Sequence, residues 1–196
     1  MVSFYGMRRL LLLLVLVWMM TPARRGAAQQ PEEEYPGYVV RDRVLVKYRG
    51  QNRDVIIPPK LGIDRIGERA FAGSPITSVV IPQGVGFIGE RAFAGCPFLK
   101  TVRLPNTLAV LGRRAFFNCF SLETINIPRT LRTIEDGAFF NCRGLVEMDI
   151  PDTLKSIGSR AFSGCGGMRK LTVSRRTVLG EHPFMGVPPK SIVWKD

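Results

Sequence analysis

The stretch Leu99 to Cys119, L-K-T-V-R-L-P-N-T-L-A-V-L-G-R-R-A-F-F-N-C, decides the fold. Its apolar skeleton returns as Leu122 to Cys142 and again as Leu145 to Cys165, at a fixed step of 23 residues. A weaker copy, Ile76 to Cys96, precedes it, and a degenerate one follows from Met168. A step of this length marks an array of stacked units, none of which buries its own apolar face alone.

Three anchors keep the register. The first is a strand-ending pair: Ile57-Pro58, Ile81-Pro82, Leu104-Pro105, Ile127-Pro128, Ile150-Pro151, then Val173-Ser174. The second is an aromatic: Phe71, Phe93, Phe116, Phe139, Phe162 and Phe184. Between them lies the third: Ile66-Gly67, Ile88-Gly89, Leu111-Gly112, Ile134-Glu135, Ile157-Gly158 and Leu179-Gly180. Val102 and Leu104 alternate with Arg103 as on a half-buried strand, and Ile125/Ile127, Met148/Ile150 and Leu171/Val173 do the same. Proline then ends the ladder because it has no N–H to give. Leu108 and Leu111 bring the chain back, and Ala115, Phe116 and Cys119 share one face of a single helical turn. The expected fold is an α/β repeat solenoid of five to six coils over residues 55–196, with a parallel concave sheet and short helical turns on the convex side. One coil offers about eight inward side chains at about 2 kcal/mol each. Ordering its residues costs about 1–2 kcal/mol apiece, so only stacking makes the coil stable. The phenylalanines are expected to stack in a continuous column.

Glu135 stands where the other coils carry glycine. Glutamate resists positive φ, so the glycine is read as serving close packing rather than a left-handed turn. Ser174, His182-Pro183 and Val187 depart from the pattern in the last unit, as a terminal cap would.

The remaining segments are read from composition. Residues 1–28 have the marks of a cleavable export signal: Arg8-Arg9, an apolar run from Leu10 to Met20, and the small residues Gly26-Ala27-Ala28. The run is short for a bilayer span, and an uncleaved anchor is the alternative. Residues 29–37 read as a flexible polar leader, and 38–58 as N-terminal cap strands covering the exposed end of the array. No second apolar run of spanning length follows, which implies no transmembrane span in the mature chain. The whole chain carries 28 Lys and Arg against 16 Asp and Glu. Without the export signal's four arginines, Arg8, Arg9, Arg24 and Arg25, the balance is 24 to 16, which favours acidic partners.

The pattern L-x-x-V-x-I-P-x-x-L-x-x-I-G-x-x-A-F-x-x-C resembles the bacterial surface leucine-rich repeats of the BspA-like, or Treponema pallidum, type. The resemblance covers roughly Val55 to Asp196, and Val44 to Gly50 resembles that family's opening unit. It implies a solenoid on exported or surface proteins (periplasm, cell surface or secreted) that bind host or neighbouring-cell components. Fibronectin- and fibrinogen-type adhesion is the activity most often attached to the family. It implies no catalytic residues and no cofactor.

The candidate chemistry is sparse. Cys96, Cys119, Cys142 and Cys165 recur at the repeat step, in a slot that Ser74 and Val187 also fill. They read as small buried thiols, with a disulfide between adjacent coils as the alternative. The lack of a C-x-x-C pair argues against zinc. His182 is the only histidine, and no glycine-bracketed serine, phosphate loop, H-E-x-x-H or calcium loop is present. The reading is therefore not an enzyme, with no metal site and no cofactor.

Two surfaces remain. On the open face of the expected sheet, Val80, Arg103, Asn126, Asp149 and Thr172 form one column, and Ser78, Thr101, Thr124, Glu147 and Lys170 run beside it. Varied side chains on a rigid sheet suit recognition of a protein ligand, such as an extracellular-matrix or cell-surface protein. Charge reversal at Arg103 and Asp149 is expected to abolish capture. Arg69, Arg91, Arg114 and Arg160 recur before the Ala-Phe pair and are expected to align into a basic stripe, broken at Gly137. That stripe is either a solvated rim or a site for a polyanion such as an acidic glycan or lipid headgroup. Nucleic acid is disfavoured by the export signal.

Overall fold

The repeat step is realised as coils that each place one strand in front and one behind. A computed structural model describes residues 35–196. The export signal read over 1–28 and most of the leader read over 29–37 therefore lie outside the described residues. The strands in chain order are β1 (Tyr38–Arg41), β2 (Val44–Tyr48), β3 (Asp54–Ile56), β4 (Arg65–Ile66), β5 (Ser78–Val80), β6 (Phe87–Ile88), β7 (Thr101–Arg103) and β8 (Val110–Leu111). They continue as β9 (Thr124–Ile125), β10 (Thr133–Ile134), β11 (Glu147–Asp149), β12 (Ser156–Ile157), β13 (Lys170–Ser174), β14 (Val178–Leu179) and β15 (Ile192–Lys195).

The V-x-I segments form the front. Here β3, β5, β7 and β9 pair in one parallel sheet, and β11, β13 and β15 in another. The third-anchor segments, read from sequence as mere connectors, form the rear. They pair as one eight-stranded sheet in the order β1-β2-β4-β6-β8-β10-β12-β14. Its first pair, β1 with β2, is an antiparallel hairpin, and every later pair is parallel.

The expected helical turns do not form, so the α/β assignment is corrected to a β-solenoid of about seven turns. Among the described residues the helices are two three-residue 3₁₀ turns, Pro59–Leu61 and Pro189–Ser191. The Ala-Phe segment is instead a chain of tight turns. The N–H groups of Ala115, Phe117 and Cys119 donate to the carbonyls of Gly112, Arg114 and Phe116. The alternate N–H groups, those of Arg114, Phe116 and Asn118, donate at 2.8–2.9 Å to Asp136, Ala138 and Phe140 of the next coil. A right-handed helix cannot pass through because two residues per coil are left-handed: Arg114 at φ 54° and Asn118 at φ 59°. The equivalents of Asn118 are Gly73, Gly95, Asn141, Gly164 and Gly186, and those of Arg114 are Arg69, Arg91, Gly137, Arg160 and His182. For a residue with a Cβ this conformation costs about 1–2 kcal/mol.

The aromatic column exists and is longer than the repeat predicts. Phe71, Phe93, Phe116, Phe139 and Phe162 are fully buried, with successive ring centroids 4.8–5.4 Å apart. Tyr48 stacks on Phe71 at 4.9 Å and Tyr38 lies 5.2 Å beyond it, while Phe184 and then Trp194 continue the other end. Close packing explains the third-anchor glycine, as Glu135 suggested. A Cβ on Gly112 would lie 2.5 Å from the carbonyl oxygen of Ile88, and φ there is not left-handed.

The four cysteines are buried free thiols. Each Sγ donates at 3.0–3.1 Å to the carbonyl of a phenylalanine one coil back: Cys96 to Phe71, Cys119 to Phe93, Cys142 to Phe116 and Cys165 to Phe139. Burial pushes the Cys165 thiol up to about 12 and Cys142 well above its ordinary value. Cys142 and Cys165 therefore stay protonated and unreactive. Adding reductant is expected to leave the thermal midpoint unchanged; a fall on reduction would reveal a bridge between coils.

Candidate recognition face

Parallel register brings the sequence-derived columns together in two groups. In the first, β5 pairs with β7 so that Ser78 faces Thr101 and Val80 faces Arg103, and β9 sets Thr124 beside Thr101. In the second, β11 pairs with β13, placing Glu147 against Lys170 and Asp149 against Thr172. The groups are not joined, because no ladder connects β9 to β11.

Asn126 sits at that break and is not a free recognition group. Its amide stands in for a strand, with Oδ1 accepting from the Leu104 N–H at 2.8 Å and Nδ2 donating to the Leu104 carbonyl at 3.0 Å. In the neighbouring coils a backbone carbonyl does this work: Ile81 N–H donates to Arg103, and Ile150 N–H to Thr172, each at 3.0 Å. Beside the break an open cleft of about 700 Å³ forms, with Ile125, Ile127 and Met148 among its lining and Glu147, Asp149 and Lys170 around them. Ile127 is only half-buried there, whereas Ile81, Leu104 and Ile150 in the same slot are buried.

Asp149 is also engaged. Lys195 from β15 reaches it at 3.1 Å, and Asp152 at the same distance. Burial opposes the charge on Lys195, but the two carboxylates outweigh it and leave the ammonium's pKa above its ordinary value. Asp54 on β3 accepts from the hydroxyls of Ser78 (2.6 Å) and Thr77 (2.7 Å), in that order of effect, and its carboxyl is held below its ordinary value. By contrast Arg103, Glu147 and Lys170 are exposed and make no side-chain hydrogen bond or ion pair among the described residues.

The repeat arithmetic missed several residues. Ile56 opens the Val80 column at 70% exposure, and Val193 on β15 extends it beyond Thr172. Phe98 and Phe120, in the loops entering the front strands, are about half exposed. Arg53 lies over the Phe98 ring and Arg143 over the Phe120 ring, each at 5.6 Å. The available signal was a large aromatic in each of two adjacent loop slots: Phe98 where other coils hold Ser121, Gly144 and Gly167, and Phe120 where they hold Pro97, Arg143 and Gly166.

The arginine stripe lies along the turn edge, with arginine in four coils and Gly137 and His182 in the same slot of the other two. Arg69 and Arg91 lie 3.8 and 3.9 Å from Glu68 and Glu90, and Arg114 lies 5.6 Å above the Phe117 ring. Among the described residues no group of three or more His, Cys, Asp or Glu side chains is placed to hold a metal. Nor is any helix there long and apolar enough to cross a membrane.

A family model for the BspA type leucine-rich repeat region matches residues 64–188 in six copies. The T. pallidum leucine-rich repeat protein is similar in structure, with 26% identity over 85% of this chain and 86% of that one, at a TM-score of 0.67. A leucine-rich cell surface protein from Faecalibacterium prausnitzii is 25% identical over 88% of this chain, which spans 52% of that one, at a TM-score of 0.70. A leucine-rich repeat protein from Bacteroides ovatus is 25% identical over 74% of this chain and 43% of that one, at 0.59. No curated protein matches in sequence. Repeat pattern, coil geometry and family match agree, and the chain belongs to the BspA-type leucine-rich repeat family.

Proposed function

We propose that the chain is an exported, non-enzymatic binding module that recognises a protein, of the extracellular matrix or of another cell surface, through the front strands. One observation carries this reading. Arg103, Glu147 and Lys170 stand exposed on a hydrogen-bonded framework with their charges unused inside the molecule. Exposed charges held in fixed register, flanked by the apolar Ile56 and Val193, offer a partner both steering and anchoring. The surface location of the Faecalibacterium relative supports export but belongs to that protein.

The test is capture of purified fibronectin and fibrinogen, and of matrix extract, by immobilised residues 29–196 at low and high salt. The double variant Arg103→Glu/Lys170→Glu is expected to weaken capture about tenfold or more, with the fold intact by circular dichroism; loss of one buried interfacial charge contact costs about 2 kcal/mol or more. Asp149→Lys is expected to act less cleanly, because it also removes one of the two carboxylates that hold Lys195. Equal capture by parent and double variant would sink the reading.

A further inference from the structure

Each coil has two left-handed residues, and the chain treats them differently. One slot obeys the steric rule, holding Gly73, Gly95, Asn118, Asn141, Gly164 and Gly186. The other breaks it, holding Arg69, Arg91, Arg114 and Arg160 at φ 51–54°, with Gly137 in the fourth coil and His182 in the last. Gly137, at φ 60°, shows that the slot takes glycine, yet four coils keep a long cationic side chain there against the backbone's preference.

The interior of the molecule gives little back for them. The ion pairs of Arg69 and Arg91 are long and substantially exposed, so they add little. The Arg114 stem covers Gly137, whose added Cβ would lie 3.3 Å from the arginine Cγ. Arg160 has no ion pair, side-chain hydrogen bond or ring contact among the described residues. The four arginines follow the coil step, which the phenylalanine rings of the same turns set at 4.8–5.4 Å, with one coil skipped at Gly137. Lys47 on β2 heads the row, its Nζ 3.5 Å from the carbonyl oxygen of Arg69.

We propose that this turn edge is a binding site for a linear sulfated polysaccharide, independent of the front face. A guanidinium meets a sulfate ester through two parallel N–H donors, and a single-file row fits a polymer that repeats its anions along one direction. A flat membrane fits less well, since it would also press on Glu68, Glu90, Asp136 and Glu181, the carboxylates flanking the row.

The experiment compares the full chain with the variant carrying Arg69→Gly, Arg91→Gly, Arg114→Gly and Arg160→Gly. The readouts are elution from immobilised heparin and thermal midpoint. Glycine relieves the left-handed strain, so the midpoint is expected to stay or rise while heparin affinity falls about tenfold or more. The single variant Arg160→Gly, which removes no side-chain hydrogen bond, ion pair or ring contact, is expected to show the same two directions more weakly. A charge-matched control, with Arg103, Lys155, Lys170 and Lys190 changed to Gln, is expected to lose far less heparin affinity. Three results would overturn the proposal: a lowered midpoint with unchanged elution, equal losses in variant and control, or stripe-dependent binding to phosphatidylglycerol vesicles without binding to heparin.

Discussion

Replacing Phe116 by alanine is expected to destabilise the solenoid by about 3–5 kcal/mol, the range for an aromatic core truncation. The ring is fully buried and stacks within 6° of parallel on Phe93 at 5.1 Å and within 5° on Phe139 at 5.4 Å. Both stacks vanish together, and the hole cannot collapse. The coils on either side are fixed by backbone hydrogen bonds in the rear sheet and along the turn edge, so the loss includes both transfer and cavity terms. Urea unfolding measures it. Phe117→Ala is the internal control: that ring stacks on Phe140 at 5.2 Å but is half-buried, and its loss is expected to be about 1 kcal/mol. Equal effects from the two truncations would mean that the column does not hold the array together.

Gly112→Val is the second large effect. The new Cβ would enter to 2.5 Å of the Ile88 carbonyl oxygen and 2.9 Å of the Gly89 carbonyl carbon, both backbone atoms of the preceding coil. Neither can swing aside as a side-chain tip would. The backbone must shift where Gly112 N–H also donates to Ile88 at 2.8 Å; Glu135, with a Cβ in the same slot, keeps its bond to Leu111 at 2.9 Å, but valine adds a branch at that Cβ. The expected cost is about 3 kcal/mol, the upper end for overpacking. Gly62→Ala makes the comparison, since nothing lies within 4 Å of its Cβ and only its left-handed φ of 62° is strained. A Gly112→Val chain as stable as the parent in urea would show that the coils are not in such close contact.

What was legible in the sequence was whatever recurs in step. Leucine, phenylalanine and cysteine slots repeat, so the coil, the column and the thiol ladder could be counted out. The ends of the column were not: Tyr48 stands one repeat step before Phe71 but carries a tyrosine in a segment read as cap, and Tyr38 and Trp194 fall outside the register. The rear sheet was missed because its parallel strands after β2 are two residues long, too short to show alternation. The helical turn was misread for a more instructive reason. Apolar spacing at Ala115, Phe116 and Cys119 matches a helix face, but spacing carries no information on the sign of φ, and arginine is a poor advertisement for a left-handed bend. On the recognition face, column membership was legible but availability was not. Asn126 and Asp149 are spent on Leu104 and Lys195, contacts that depend on neighbours one or more coils away.

The parted front ladder has a mechanical meaning. Behind, β10 is bonded to both β8 and β12 without interruption; in front, nothing ties β9 to β11. Spreading the front edge at this level breaks no ladder bond and only the entering loop's Gly144 N–H to the Phe120 carbonyl at 3.0 Å, whereas at β7 or β13 it would break several ladder bonds. The coils therefore share a continuous spine behind and one crease in front, between Asn126 and Glu147.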